Sequence, residues 1–388
     1  MKKIYYITAV FATLFLVGCG DGIDLPGVNV ETDLNKIPLP DNNVNLEQVE
    51  LKPSTEPMLH EGLHTEEDFQ RIRDKKAAGE EPWVSAYQLL VESQFSQKTA
   101  DTYPTEWIKR GISGDENYMN AARGATIVYQ QALRWKIEQD DEYAAKAVEN
   151  LNKWVQTCVG VTGNTNLSLA AGLYGYEFAI AGELLRDYEG WDRADFAAFQ
   201  NWLLKVFYPA NDDFLKRHHD TNALHYWANW CLCNIAAKMA IGIVTDRRDI
   251  YNEGIAHLQT GDTNGRLRRA IYHDYAPDYN FAQWQESGRD QGHTLMCVGL
   301  MGIICQLAWS QGDDFFAYDD NLFLRACEYA ACCNYTNETV PYTTYIWQKQ
   351  SQWGYPIPEE QTTLGGGKWI KRAIWALPYY LSLIHISE

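Results

Sequence analysis

From Thr65 onward, apolar positions recur at helical spacing and few stretches alternate at period two, so the chain predicts successive helices of roughly 12 to 20 residues. Thr65-Glu66-Glu67-Asp68 is a capping-box-like start, followed by Phe69, Ile72 and a lysine-rich finish before Gly79. Further helices are expected over 83–96, 116–138, 141–157, 167–187, 192–207, 222–244, 246–259, 288–311, 319–334 and 367–380. Joints such as Gln139-Asp140-Asp141 and Glu189-Gly190-Trp191 are short, which favours antiparallel neighbours. Two units echo each other. Trp227-Ala228-Asn229-Trp230 leads into the apolar run Cys231 to Val244, a charged turn at Asp246 to Asp249 and another helix; Gln291-Gly292-His293 leads into Leu295 to Trp309, a turn at Gln311 to Asp314 and another helix. A helix apolar all round is buried, so both read as inner helices of a layered array with polar side chains at their starts. The expected fold is all-α, an α/α toroid built as an incomplete barrel of antiparallel helical hairpins, with an open superhelix as the alternative.

The two ends read differently. Met1-Lys2-Lys3 and the apolar run Ile4 to Val17 have the form of an export signal too short to span a bilayer permanently. Leu16-Val17-Gly18-Cys19 resembles a bacterial lipobox, which makes residues 1–18 a lipoprotein signal peptide and Cys19 the lipidated residue. Residues 19–57, rich in Asp, Asn, Pro and Gly, read as a flexible tether. The helical domain is expected over 58–380. The last eight residues, Leu381 to Glu388, resemble the translation of a transposon sequencing adapter, so an artefact is expected to replace the native C-terminus there. The expected location is periplasmic or cell-surface, with membrane contact only through the lipid on Cys19, and the expected state is a monomer.

A length of 388 residues with 46% hydrophobic and 22% charged side chains suits one large domain or two ordinary ones. The net charge of −18, from 51 acidic and 33 basic side chains, excludes a broad nucleic-acid footprint. Aromatics reach 13%, with 14 Trp and 24 Tyr, enough to fill a core or line a sugar cleft. Apart from Cys19 there are eight cysteines, most inside apolar helical runs where buried thiols are expected, and no CxxC pair suggests zinc. Neither a metal nor a cofactor is expected.

Candidate chemistry concentrates in three stretches. In Gln283 to His293, a helical reading places Glu286, Arg289 or Asp290, and His293 along one face. In His218 to Trp230, His225 and Asn229 are four apart beside Trp230, while three histidines and an aspartate lack the spacing of clear metal ligands. In Val340-Pro341-Tyr342-Thr343-Thr344-Tyr345, two tyrosines on an extended segment offer acid–base hydroxyls or sugar platforms, or simply loop packing. Arg123, Tyr174 and Tyr176 lie on expected helices as structural residues or subsite contacts. Gly365-Gly366-Gly367 reads as a flexible joint.

Together, Trp227 to Trp230, Trp284 to His293 and Val340 to Tyr345 resemble the alginate lyase superfamily of toroidal polysaccharide lyases, above all polysaccharide lyase family 38, over about His60 to Tyr380. The resemblance implies an α/α toroid that cleaves a 1,4-linked polyuronate, alginate first and glucuronan second, by β-elimination with a His/Tyr pair. That chemistry needs a cation or donors to stabilise the enolate-like charge, a base for the C5 proton and an acid for O4. Arg289 and Asn229 are the candidate neutralisers, helped by Glu286 if burial keeps it protonated. His293 and Tyr345 are the acid–base candidates, with His225 and Tyr342 in reserve. Trp227, Trp230 and Trp284 are expected to stack on sugars, with Gln285, Tyr176 and Arg123 as further substrate contacts. An acidic protein acting on a polyanion implies a positive cleft on a negative body, since net charge is screened beyond about 8 Å.

Two other readings use the same residues. An α/α-barrel glycoside hydrolase would take Glu286 or Asp290 as acid with Asp274 as partner. A non-catalytic surface glycan-binding lipoprotein would use the tryptophans alone.

Overall fold

The computed structural model describes residue 42 and residues 55–351 and 354–378. The expected signal peptide, Cys19 and the expected artefact over 381–388 lie outside the described residues.

The first helix, α1 (Glu66–Ala77), starts on a capping box in which Thr65 and Asp68 each accept from the other's backbone N–H. It is followed by α2 (Trp83–Glu92), a strand β1 (Trp107–Arg110), α3 (Tyr118–Glu138), α4 (Asp141–Thr157) and β2 (Gly160–Gly163). Next come α5 (Leu167–Leu185), α6 (Arg193–Val206), α7 (Tyr208–Arg217), α8 (Ala228–Val244) and α9 (Arg248–Thr260). A short α10 (Leu267–Ala270) enters the hairpin β3 (Ile271–Asp274) and β4 (Ala282–Trp284). The chain continues through α11 (Gln291–Trp309) and α12 (Tyr318–Tyr335) to the hairpin β5 (Tyr345–Gln350) and β6 (Pro356–Gln361).

Packing sorts the helices into two layers. The inner series α3, α5, α8, α11 packs each helix on the next, and α4, α9 and α12 return outside as hairpin partners of α3, α8 and α11. Every residue of α8 is buried, as are all but Met296 and Trp309 of α11. Each large apolar side chain taken fully out of water there contributes about 1.5–3 kcal/mol, which is why both helices need a complete outer layer. The two layers form an α/α toroid, and the two echoing units are successive inner–outer pairs, α8–α9 and α11–α12.

Several local expectations are corrected. Helix α7 was not expected; Pro209 in its first turn starts a helix of its own after Phe207. Helices α8 and α11 begin at Ala228 and Gln291, later than the periodicity suggests, because polar turns precede them. Residues 367–375 are not helical, since Gly365 to Gly367 pack across the start of α11 and hold that segment extended. Among the described residues, three two-stranded ribbons join the helices: β1–β2 is parallel, while β3–β4 and β5–β6 are antiparallel. The eight cysteines of the described residues are all free thiols, seven of them buried.

Residues 56–64 cross the inner layer as a strap, over the C-terminal ends of α8 and α11 and the middle of α3. Leu59 N–H donates to Gln311 Oε1 at 2.9 Å, and Gln311 Nε2 donates to the Leu59 and Glu61 carbonyls at 3.0 and 2.7 Å. His60 Nε2 meets Asp246 Oδ1 at 2.9 Å, just beyond α8, and His64 Nε2 meets the Tyr129 hydroxyl of α3 at 2.5 Å. The strap thereby ties α3 to α8 and α11, away from the first turns of α8 and α11 that form the mouth.

Candidate active site

At that mouth the first turns of α8 and α11 lie side by side. Between them, β4 runs into a tight turn over Gln285–Gly288, so Glu286 is delivered beneath the start of α8. Its carboxylate is wholly buried. Oε1 accepts from the Asn229 backbone N–H at 2.8 Å, Asn229 Nδ2 at 2.6 Å and the Cys297 thiol at 3.3 Å, while Oε2 faces an Arg289 Nη at 3.2 Å. Each of these partners donates, so Glu286 serves as an acceptor and not as a hydrogen-bond donor to substrate. Asn229 Nδ2 is committed to Glu286, which makes Asn229 a residue that fixes Glu286 and, through it, Arg289.

The stretch from Gln283 to His293 is therefore not one helix. Asp290 is extended, at φ −171° and ψ 160°, and caps α11 by accepting from the His293 N–H at 2.8 Å. The same carboxylate meets His293 Nδ1 at 2.5 Å, and Arg289 Nε stands 3.9 Å from it. Burial pushes the Asp290 carboxyl up, but the His293 hydrogen bonds and the Arg289 charge outweigh it and hold the group below its ordinary range. Gly365 to Gly367 brace this turn and are not a loose joint: Gly365 N–H donates to the Ser287 carbonyl, and Gln291 N–H donates to that of Gly366, each at 2.8 Å. A Cβ at Gly365 would lie 2.5 Å from the Arg289 carbonyl carbon, so only glycine permits this approach.

The third wall is β5. Tyr345 is buried, its hydroxyl 3.4 Å from Asn264 Oδ1. Burial raises its phenol well above the ordinary range; Gln285, Asn264 and the Arg269 charge offset this in part, and the Glu286 charge adds to it. Trp347, two residues on, shares its face of the strand and stacks on Trp227 at 4.9 Å, while the Arg289 guanidinium stands 5.1 Å from the Trp227 ring centre. The sequence reading missed Trp347; the alternation Tyr345-Ile346-Trp347 is the signal that marks it. Unlike the tryptophans proposed as platforms, Trp347 is partly exposed.

His225 precedes α8, so it shares no helix face with Asn229. Its Nδ1 accepts from the Gln350 N–H at 2.8 Å, which places the ring proton on Nε2 and makes it a neutral donor, not a base. Burial lowers it to about 4. Tyr342 donates to the Gln361 carbonyl at 2.8 Å and is pushed up to about 12 by burial.

Other candidates go elsewhere. Trp284 is fully buried and donates to the Ala326 carbonyl at 2.9 Å; Trp230 packs on Tyr226 and Phe214. Neither offers a face to a sugar. Tyr176 is also fully buried, within α5, Tyr174 stacks on Tyr118, and Arg123 is exposed on α3. Gln285 accepts from the Ala228 N–H at 3.0 Å and so braces α8. Asp274, the hydrolase partner, is bound to Arg325 at 2.6 Å. No group of three or more His, Cys, Asp or Glu among the described residues is arranged to hold a metal. Charge at the mouth comes from Arg289, Arg269 near Tyr345 and Arg372 near Asp290, set against Glu286 and Asp290.

A family model described as alginate lyase matches residues 73–338. The chain belongs to the alginate lyase family. It is thus a polysaccharide lyase, and its fold has solved relatives. Alginate lyase A1-III from Sphingomonas species A1 is similar with a TM-score of 0.50 at 13% identity, over 71% of this chain and 79% of that one. A histidine-to-alanine variant of alginate lyase A1-III complexed with tetrasaccharide gives a TM-score of 0.56 at 14% identity, over 71% and 78%. A tyrosine-to-phenylalanine variant, also complexed with tetrasaccharide, gives 0.52 at 13% over the same shares. At these identities the likeness of this lyase to them is one of fold. Comparison with curated proteins gives no match.

Proposed function

We propose that this lyase cleaves the 1,4-linked uronate chain of alginate by β-elimination, with His293 as base and Tyr345 as acid. The observation that carries the reading is the Asp290–His293 pair at the mouth, beside Arg289. Asp290 accepts from Nδ1, which leaves the lone pair of a neutral imidazole on Nε2. Nε2 takes the C5 proton; the C5–H electron pair becomes the C4–C5 double bond as the C4–O4 bond breaks. Tyr345, kept protonated by burial, gives its proton to O4, and the tyrosinate regains one from solvent or from His293. Arg289 neutralises the uronate carboxylate and so stabilises the charge that builds up as C5 loses its proton. The likeness to the tetrasaccharide-bound relatives supports a polymeric substrate, and the narrower affinity with polysaccharide lyase family 38 rests on the three sequence motifs.

Near-ultraviolet absorbance tests this. The full chain is mixed separately with mannuronate-rich alginate, guluronate-rich alginate and glucuronan, beside His293→Ala. A rise from the unsaturated product, absent in the variant, is expected with at least one alginate. Reducing ends without a rise would mean hydrolysis, and a rise with glucuronan alone would replace the substrate.

The apolar run Ile4 to Val17 and Cys19 support an exported lipoprotein working at the cell envelope, as a monomer. Incorporation of labelled palmitate, lost in Cys19→Ser, is the expected result.

A further inference from the structure

Strand β5 pairs with β6 along one edge, in the register Tyr345↔Gln361. On its other edge the backbone groups of alternate residues are taken by side chains. Ile346 N–H donates to Asn42 Oδ1 at 2.7 Å, and Asn42 Nδ2 donates to the Ile346 carbonyl at 3.1 Å. Asn222 Nδ2 donates to the Gln348 carbonyl at 3.1 Å, and His225 Nδ1 accepts from Gln350 N–H at 2.8 Å. Three side chains thus stand where a neighbouring strand would, capping an edge that would otherwise be left open. Two of them belong to the turn before α8. The third comes from far ahead of the helical domain, 304 residues from its partner.

We propose that Asn42 is a positioning residue for the proton-donating Tyr345. The inference rests on the reading of Tyr345 as the acid. Ile346 follows Tyr345 directly, so the N–H that Asn42 accepts belongs to the peptide that joins the two. A side-chain amide carries its donor and its acceptor on separate atoms of one plane, and Asn42 uses both on one residue. Holding Ile346 in this way fixes the strand's rotation, which sets where the Tyr345 side chain stands and keeps Trp347 against Trp227. A chain that began at Thr55 would keep α1 to α12 and lose this contact.

The test uses the full-length chain. Asn42→Ala is expected to lower kcat on alginate about tenfold, the loss of two neutral hydrogen bonds, with KM changed less than about twofold. Asn42→Asp keeps the acceptor for the Ile346 N–H but loses the donor, so it should fall between. A second substrate, a uronate carrying an aryloxy leaving group at C4, needs no proton from an acid. With it both Tyr345→Phe and Asn42→Ala should regain wild-type rates. Failure of Tyr345→Phe to recover would remove the acid role and the proposal with it. If Tyr345→Phe recovers, wild-type kcat on alginate in Asn42→Ala would overturn the proposal alone. So would an Asn42→Ala defect that persists with the aryloxy substrate, because the contact would then serve the fold generally and not the acid.

Discussion

Asn229 grips one oxygen of Glu286 with two N–H groups, its backbone at 2.8 Å and its side chain at 2.6 Å. The helix start and the turn before α11 are joined at that oxygen. Asn229→Ala removes the side-chain donor from a buried carboxylate and is expected to cost about 1–3 kcal/mol of stability. Asn229→Asp should cost more, because it sets a second carboxylate against the first. Thermal unfolding of the two variants ranks them; equal stability would mean that Glu286 does not depend on Asn229.

Asp290→Asn separates the two tasks of that side chain. Asparagine caps a helix as well as aspartate does, so α11 should keep its stability. It gives His293 Nδ1 no carboxylate, and the lone pair on Nε2 is no longer enforced. The expected result is a fall in kcat of about a hundredfold or more, with melting temperature and KM little changed. A parallel loss of kcat and melting temperature would assign Asp290 to the fold alone.

Stability should peak near neutrality and fall on the acid side. Burial lowers His64, His218, His225 and His257 each to about 4, against 6.5 in the unfolded chain. Between those values the unfolded state binds more protons, so stability rises with pH across that window and is lost as pH falls through it. Glu177 acts oppositely: burial raises it to about 8, so the folded state holds the extra proton and stability declines as pH climbs from about 4.5 to 8. Melting temperatures should therefore drop steeply from pH 6.5 to pH 4 and more gently above. Glu177→Gln should flatten the upper limb and steepen the lower one slightly, because its window overlaps that of the histidines with the opposite sign.

Two tryptophans provide a contrast between core and cleft. Trp284→Ala empties a fully buried site and should destabilise by about 3–5 kcal/mol. Trp347→Ala, at a partly exposed position on β5, should leave the fold intact and raise KM for polymer several-fold, since a ring stacked on a sugar contributes on the order of 1 kcal/mol. Denaturant titration and steady-state kinetics on both variants decide it.

The layered helices were legible because α8 and α11 are apolar around their whole circumference, a pattern that only a second layer can bury. The site was legible as a set of residues but not as a geometry. Glu286, Arg289 and His293 do converge with Asn229, yet through a strand, a tight turn and an extended Asp290 in place of one helix face. Periodicity could not show this, because Asp290 turns the chain by capping α11 and the Gly365 contact that braces it comes from far along the sequence. Trp284 and Trp230 look like sugar platforms in the sequence and lie in the core, because ring counts say nothing of which way a ring points. Trp347 and Asn42 act through β5, a short strand whose register is set by tertiary pairing.

The strap over residues 56–64 has a mechanical consequence. It fastens α11 just past its C-terminal end, through Gln311, and α3 near its middle, through Tyr129. From the Gln311 anchor to its first turn α11, with 19 residues, runs about 28 Å. A tilt of about 5° about the anchor would carry the His293 end by about 2.5 Å over that length. The anchor at Gln311 and the Asp290–His293 pair thus sit at opposite ends of one helix, which joins the strap to the site as a single rod.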